Sequence, residues 1–135
     1  LRKENNNYEI LINNGTEKIE NIIECSLKKI TKLPVGEIYL NSIDKDGTGM
    51  GLDFKLLDLI PSNNLKPIIL SGGCGNVKHF EEGLKNHKVY AIATANLFNF
   101  IGDGLEKARK QLLTKNIRLP TWNPLMTENL KMILK

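Results

Sequence analysis

Two glycine-containing segments each follow a short apolar run, and their polar residues are the first candidates for chemistry. The first segment, residues 44–51, reads DKDGTGMG and places two carboxylates among three glycines. Asp46, together with Asn41 in the preceding apolar run, is a leading candidate for ligand contact. Asp and Thr also cap turns and helices where no ligand binds. A purely structural role for Asp44, Asp46 and Thr48 therefore stays open.

The second segment, residues 71–75, reads SGGCG and has the composition of an anion site. Glycine has no Cβ, so a ligand can approach the backbone N–H groups of Gly72 and Gly73, and a following helix adds its positive amino end. Ala95 and Asn96 follow a third apolar run and are a second source of donors. Neighbouring loops of this kind often bind phosphate in (β/α)₈ barrels. We predict a phosphate site here, with tight turns lacking any ligand as the alternative.

The histidines and cysteines show no metal-binding pattern. His79 and His87 lie in or at the end of a predicted helix without a second ligand-type residue at metal spacing, which favours a surface or helix-packing role. Cys25 lies in a helical pattern and Cys74 in the second glycine segment, as expected for reduced thiols of a cytoplasmic protein. The sequence therefore predicts neither a metal nor a cofactor.

Alternating strands and helices must position these residues. Three apolar runs have the composition of buried parallel strands, at residues 37–43, 66–71 and 89–94. Helical spacing follows each of them, at residues 53–60, 77–86 and 105–113. Repeated strand–loop–helix units imply parallel strands joined by right-handed crossovers. The predicted fold class is α/β, with ligands bound at the carboxyl ends of the strands.

The pattern upstream of these units is less regular. Residues 8–12 predict a short strand, residues 13–15 a turn, and residues 16 to about 31 an amphipathic helix. Residues 1–7 are polar and begin without Met. We therefore expect that the chain has been cut at this point.

Composition excludes several classes of protein. A chain of 135 residues with 41% hydrophobic and 25% charged residues suits one globular domain and disfavours disorder. The net charge of +4 comes without a basic block or interleaved aromatics, which disfavours nucleic-acid binding. No apolar run approaches the length of a membrane span and no signal peptide is visible. We expect a cytoplasmic protein with no membrane or nucleic-acid partner.

Four blocks carry a resemblance to a known family: GEIYLNSIDKDGTGMGLD, ILSGGCGNVKHFEEGL, AIATANLFNF and IRL. In this order they resemble the carboxyl half of the cyclase subunit of imidazole glycerol phosphate synthase, over residues 8–119. The resemblance implies the C-terminal half of a (β/α)₈ TIM-type barrel at residues 1–119, followed by a linker and tail at residues 120–135.

The resemblance also implies an activity and a partner. Family members take ammonia from a glutaminase subunit and convert a bisphosphorylated ribulosyl-aminoimidazole substrate to imidazole glycerol phosphate and an aminoimidazole carboxamide ribotide, in histidine biosynthesis. The two catalytic aspartates of the family lie outside this chain. We therefore expect the chain alone to bind phosphate but to lack the acid and base that ring closure needs.

Site residues follow from matching positions in the family. The resemblance implies substrate contacts from Asn41, Asp46 and Gly47. It implies a phosphate site formed by Ser71, Gly72, Gly73, Ala95 and Asn96. Glu37, at the opposite end of its strand, matches a charged position at the ammonia entrance, with a structural Glu at a strand start as the alternative.

Some features leave the substrate open. Asn96 and Asn99 stand where the family commonly has Ser and His, and residues 13–18 look shortened. The alternatives are a related barrel that delivers ammonia for amidine formation on a surface-glycan sugar, and a non-catalytic half-barrel assembly module. The sister isomerase of the histidine pathway shares the DGT and GG features, but GNVKHF and the Phe98/Phe100 pattern fit the cyclase better. A sheet cut from a barrel has unpaired edges, so we expect self-association.

Overall fold

A computed structural model describes residues 1–5, 7–19, 23–95 and 104–119. Within these ranges the strands and helices are, in chain order, β1 (Arg2–Glu4), β2 (Asn7–Glu9), β3 (Leu11–Ile12), β4 (Glu17–Lys18), α1 (Ile23–Lys32), β5 (Ile38–Asn41), β6 (Ile68–Ser71), α2 (Val77–Lys85), β7 (Ala91–Ala93) and α3 (Gly104–Thr114). Short 3₁₀ helices occur at Asn13–Gly15 and Phe54–Leu59. The strands β1 and β2 form one antiparallel pair, β3 and β4 a second, and β5, β6 and β7 a parallel sheet.

The parallel sheet has the strand order β5-β6-β7, so neighbours in sequence are also neighbours in space. Tyr39 pairs with Ile69, and Ile69 with Ala91. Strands follow one another in this way around a (β/α)₈ barrel, whereas a doubly wound sheet reverses its order at a switch point. The sequential order is therefore the one found in a barrel wall, and it also occurs within one half of a doubly wound sheet.

Leu1 occupies a further strand position on the edge of β5 opposite β6. Its nitrogen donates to the Asn41 carbonyl oxygen at 2.6 Å, and its carbonyl oxygen accepts the Ile43 amide at 2.8 Å. This exchange of two bonds is the pattern of parallel pairing. The start of the chain thus lies beside the carboxyl end of β5.

The two faces of the parallel sheet differ in burial. Alternate residues of β5 and β6 pack against the helices, in a core that includes Ile38, Leu40, Ile68, Leu70, Leu27, Leu56, Leu57, Phe80 and Leu112. The opposite face carries the rows Tyr39, Ile69, Ala91 and Asn41, Ser71, Ala93. Tyr39 is 58% exposed on that face. In a barrel this is the face that is turned inward.

Most predicted elements of the repeat are confirmed. The three predicted strands are found as β5, β6 and β7, and two of the predicted helices as α2 and α3. The helix predicted at residues 53–60 is a 3₁₀ helix, Phe54–Leu59, and Asp53 accepts the Lys55 amide at its start at 3.3 Å. The α/β fold class is therefore confirmed. The tail predicted at residues 120–135 lies outside the described residues.

The predicted helix at residues 16–31 is wrong at its amino end. Glu17–Lys18 form β4, which pairs antiparallel with β3, and α1 is described from Ile23. Asn13 and Asn14 have positive φ angles of 51° and 58°, which Asn tolerates better than most residues. The chain therefore turns back and pairs before a helix forms.

The amino-terminal residues differ from expectation in two further ways. The strand predicted at residues 8–12 is divided between β2 and β3, which pair with different partners. Residues 2–4, whose sequence has no strand pattern, form β1 and pair with β2. The strand pairs here depend on contacts between charged side chains, which apolar periodicity does not reveal.

Charged contacts around Glu9 hold the two hairpins together. The Glu9 side chain is only 4% exposed; Arg2 donates to it at 2.8 Å, and Lys18 pairs with it as well as with Glu4, the latter at 3.4 Å. Hydrogen bonds involving Glu4, Lys18 and Arg2, in that order, lower the pKa of Glu9 to about 2. Removing these partners would leave a buried charge without compensation, which is strongly unfavourable.

We expect Glu9 to make folding sensitive to acid. Its pKa is about 2 in the fold against an ordinary value of 4.5, so its stabilising contribution is complete above pH 4.5 and is lost as the pH falls toward 2. Urea midpoints of the wild-type chain should fall across this window, and Glu9→Gln should show a smaller fall. Glu82→Gln, at an exposed position of α2, is the control. Equal acid dependence in both variants would contradict this role for Glu9.

Candidate functional site

Two loops meet at the carboxyl ends of β5 and β6, and we call residues 42–51 the first loop and residues 72–76 the second loop. The Gly51 amide donates to the Gly73 carbonyl oxygen at 2.8 Å. The Ser42 amide donates to the Ser71 carbonyl oxygen at 3.1 Å, which continues the ladder of the sheet. The polar residues predicted from the two glycine segments are therefore brought to one edge of the sheet.

Glycine is required where these loops touch. A Cβ on Gly72 would overlap the Ser42 carbonyl oxygen, and a Cβ on Gly73 would overlap the Gly51 carbonyl oxygen. Gly72 and Gly73 also have φ angles of 93° and 89°, a region that residues with a side chain rarely adopt. Both glycines are buried. The SGG sequence thus has a structural cause that is independent of any ligand.

Asn41 and Asp46 lie close together above the end of β5. Asn41 Nδ2 lies 3.4 Å from Asp46 Oδ2, and the Asp46 amide donates to the Ser42 carbonyl oxygen at 3.0 Å. Within the described part of the chain, Asn41 Oδ1 and Ser42 Oγ are buried and have no hydrogen-bond partner. Such atoms are uncommon in proteins. The end of β5 therefore has unused hydrogen-bonding capacity.

Other residues of the first loop have local structural contacts. The Thr48 hydroxyl donates to the Lys45 carbonyl oxygen at 2.7 Å, so Thr48 stabilises the turn, as the structural alternative predicted. Asp44 accepts the Lys3 amide at 2.5 Å and so binds the amino-terminal hairpin rather than the following helix. Gly47 is exposed and has a φ of 75°, with nothing near the position of a Cβ.

The end of β7 is joined to the second loop. The Thr94 hydroxyl donates to the Cys74 carbonyl oxygen at 3.1 Å, and Ala95, the next residue, is exposed. The structure thus places Ala95 at the same edge of the sheet as Ser71, which is buried at the end of β6. Asn96, the remaining residue of the predicted phosphate site, lies outside the described residues.

His79 has contacts that the sequence did not predict. It lies in the first turn of α2, where its Nδ1 accepts the Gly75 amide at 3.1 Å and Asn76 Oδ1 accepts its backbone amide at 3.1 Å. Its Nε2 is 3.6 Å from the position that a Cβ on Gly51 would take. The ring is therefore bonded to the second loop and lies near Gly51 of the first loop. The available signal was its spacing, four residues after the last glycine of the second loop.

Comparison with known proteins identifies the family. Residues 2–101 match the histidine biosynthesis protein family. This chain belongs to that family. A putative imidazole glycerol phosphate synthase subunit hisF2 of Parasynechococcus marenigrum (strain WH8102) is 39% identical over 111 residues, which make up 82% of this chain and 41% of that protein. The imidazole glycerol phosphate synthase subunit HisF of Clostridium botulinum (strain Alaska E43 / Type E3) is 35% identical over 118 residues, 86% of this chain and 46% of that protein.

Membership of the histidine biosynthesis family accounts for the sheet. Family members are TIM-type barrels, and the parallel strands with sequential order are part of such a barrel. The chain spans less than half the length of the two relatives. The exposed Tyr39 lies on the face that is turned inward in a barrel of this family.

Glu37 lies far from the two loops, at the amino end of β5, where it is exposed. A cavity of about 970 Å³ opens at the same end of the sheet, beside the residues that precede β6 and β7. Lys66, which lines it, donates to the Val35 carbonyl oxygen at 3.1 Å. The predicted entrance residue and the predicted substrate residues are therefore separated by the length of the strand.

The described residues show no metal site. Across residues 1–5, 7–19, 23–95 and 104–119, no three His, Cys, Asp or Glu side chains are grouped so that they could hold a metal ion. In the same ranges no helix has both the length and the apolar character needed to cross a membrane. Cys25 is exposed, whereas Cys74 is buried and burial raises its pKa to about 11. Cys74 is therefore a protonated, unreactive thiol at neutral pH.

Gly75→Ala should disrupt the contact between the loops. The added Cβ would lie 2.5 Å from Gly49 Cα, and backbone atoms cannot rotate away as a side chain can. We expect the free energy of unfolding to fall by about 1–3 kcal/mol in urea denaturation. Gly36→Ala is the matched control because nothing lies within 4 Å of its Cβ position. Equal losses in the two variants would show that the loop contact is absent in solution.

Proposed function

We propose that this chain is the carboxyl-terminal half of the cyclase barrel of imidazole glycerol phosphate synthase. In this reaction ammonia from a glutaminase partner and a bisphosphorylated ribulosyl-aminoimidazole give imidazole glycerol phosphate and an aminoimidazole carboxamide ribotide, as part of histidine biosynthesis. The observation that carries the proposal is the 39% identity over 82% of the chain to a relative named as a subunit of this synthase. Residues 1–119 form the half barrel and residues 120–135 a linker and tail.

The chain supplies one phosphate site in this proposal, formed by Ser71, Gly72, Gly73, Ala95 and Asn96. Gly72 and Gly73 lie between β6 and α2, whose amino end carries a partial positive charge that favours anions. The bond between Thr94 and Cys74 supports a shared site for the second loop and Ala95. Since Gly72 and Gly73 are buried, the phosphate reaches their amides from the side of the exposed Ala95.

The remainder of the substrate lies over the end of β5. The exposed carboxylate of Asp46 accepts hydrogen bonds from substrate hydroxyl or N–H groups, and Asn41 Nδ2, which lies 3.4 Å from Asp46 Oδ2, donates to a substrate oxygen. Gly47, exposed beside them, allows the backbone to approach the ligand closely. Asp46 has no role as general acid or base here. Those groups are the two family aspartates, which lie outside residues 1–135.

The glutaminase partner delivers ammonia at the opposite edge of the sheet. The exposed position of Glu37 at the amino end of β5 supports its role at the ammonia entrance. The inward face, with Tyr39 exposed, then lines the way to the substrate. Self-association of the 135-residue chain remains a prediction. In the described residues β7 pairs with β6 alone, so its other edge is open to pairing with a second copy of the chain.

Phosphate titration tests the site. Inorganic phosphate added to the ¹⁵N-labelled chain should shift the amide signals of Gly72, Gly73 and Asn96 with one common dissociation constant. Chloride at the same ionic strength should not move these signals, and the amide of Gly36, near the start of β5, should not respond to phosphate. Shifts at the three amides no larger than the shift at Gly36 would show that the phosphate assignment is wrong.

Complementation tests the reaction. The chain alone, given substrate and ammonium, should form no imidazole product, because the general acid and base are absent. Mixed with the amino-terminal half of the Clostridium botulinum relative, it should form imidazole glycerol phosphate. The positive control is that relative's own two halves. If the control gives product and the mixture does not, the histidine-pathway assignment fails in favour of the glycan or assembly alternatives.

A further inference from the structure

The His79 ring can accept only one of the two hydrogen bonds that surround it. Nδ1 lies 3.1 Å from the Gly75 amide nitrogen, and Nε2 lies 3.2 Å from Asn76 Nδ2. A neutral imidazole has a lone pair on one nitrogen only, and its other nitrogen carries hydrogen. The two neighbouring N–H groups therefore compete for a single acceptor.

The Gly75 amide is the preferred donor to that lone pair. Its N–H is a backbone group whose direction is set by the loop, and it lies in a part-buried position. Asn76 is exposed, so water can accept from its amide hydrogens instead, and its Oδ1 is already engaged by the His79 backbone amide. An unpaired buried donor costs more than an exposed one. The favoured tautomer thus has hydrogen on Nε2 and the Gly75 bond on Nδ1.

This bond reaches the centre of the loop contact. Gly75 is the residue whose Cβ position falls on the backbone of Gly49, so its place is set by the first loop. His79 Nε2 lies 3.6 Å from the Cβ position of Gly51, the residue whose amide donates to Gly73. One ring, fixed to the first turn of α2, thus holds Gly75 of the second loop by a hydrogen bond and lies near Gly51 of the first loop.

We propose that His79 is a positioning residue for the phosphate site: as the Nε2–H tautomer it holds the Gly75 amide and keeps the second loop against the first. His79 touches no ligand in this role. It sets the orientation of the loop in which Gly72 and Gly73 present their amides. The choice of phosphate as the ligand rests on the proposed function above. The tautomer of His79 and the contact between the loops do not depend on it.

Two variants separate positioning from helix stability. His79→Asn keeps an acceptor at the δ position, so its Oδ1 can accept the Gly75 amide. His79→Leu removes the acceptor, yet Leu favours the helix more than either His or Asn. A loss seen with Leu and absent with Asn therefore cannot come from a weaker α2. Thermal unfolding of both variants checks that they are folded.

The experiment uses the 135-residue chain and inorganic phosphate as the probe. Ring ¹⁵N shifts of His79 should show hydrogen on Nε2, and hydrogen exchange at the Gly75 amide should be slow in the wild type and in His79→Asn. In His79→Leu the Gly75 amide should exchange faster. Phosphate should bind His79→Leu about 3- to 10-fold more weakly than the wild type, as expected for one lost hydrogen bond, and His79→Asn within about 3-fold.

The outcomes distinguish the two proposals. Hydrogen on Nδ1, or Gly75 exchange that is unchanged in His79→Leu, would overturn the positioning role whether or not phosphate binds. If the ring and Gly75 behave as expected but the wild-type chain binds no phosphate, the phosphate assignment is overturned, and with it the role of His79 toward that ligand. Equal weakening of phosphate binding in the Asn and Leu variants would also contradict the role of the Nδ1 acceptor.

Discussion

The backbone contact between the two glycine loops is the constraint on which the site depends. Gly51 donates to the carbonyl oxygen of Gly73, and the Cβ positions of Gly72 and Gly73 are filled by carbonyl oxygens of the first loop. A side chain at either position would separate the loops. Their contact places the polar end of β5 directly beside the segment that leads into α2. The candidate substrate-binding residues therefore lie next to the candidate phosphate-binding residues.

The parallel sheet explains why the candidate chemistry is divided between two edges. Parallel strands bring all their carboxyl ends to one edge, where the first and second loops and Thr94 meet, and all their amino ends to the other, where Glu37 lies. Alternation along each strand sends one set of side chains into the core and the other toward the inward face. The row that contains Tyr39 thus lies between the two edges.

Local sequence patterns were sufficient for the parallel units and insufficient for the amino-terminal hairpins. The strands β5 and β6 lie in short, mainly apolar runs that are followed by glycine-containing loops, so composition alone marks them. The hairpins depend on the ion pairs of Glu9 with cations of two other strands and on the positive φ angles of Asn13 and Asn14. The apolar residues near Ile19 nevertheless have helical spacing. Tertiary contacts override the periodicity there.

The candidate site shows the same limit. The polar and glycine residues could be predicted because they follow strands, but the structural reason for Gly72 depends on a carbonyl oxygen about 30 residues away in the chain. The role of His79 depends on the direction of one backbone N–H, and the spacing of four residues from Gly75 does not give that direction. Contacts with backbone atoms therefore carry little signal in the sequence, whether the partner lies in a distant loop, as for Gly72, or in the preceding turn, as for His79.

The most direct test is a long-range HNCO experiment on the labelled chain, which detects scalar coupling across hydrogen bonds. The loop contact predicts a cross-peak between the Gly51 amide nitrogen and the Gly73 carbonyl carbon, because these groups bond at 2.8 Å. The Ser42 to Ser71 bond of the sheet, at 3.1 Å, is the internal reference. A spectrum with the Ser42 cross-peak and without the Gly51 cross-peak would contradict the contact and the site built on it.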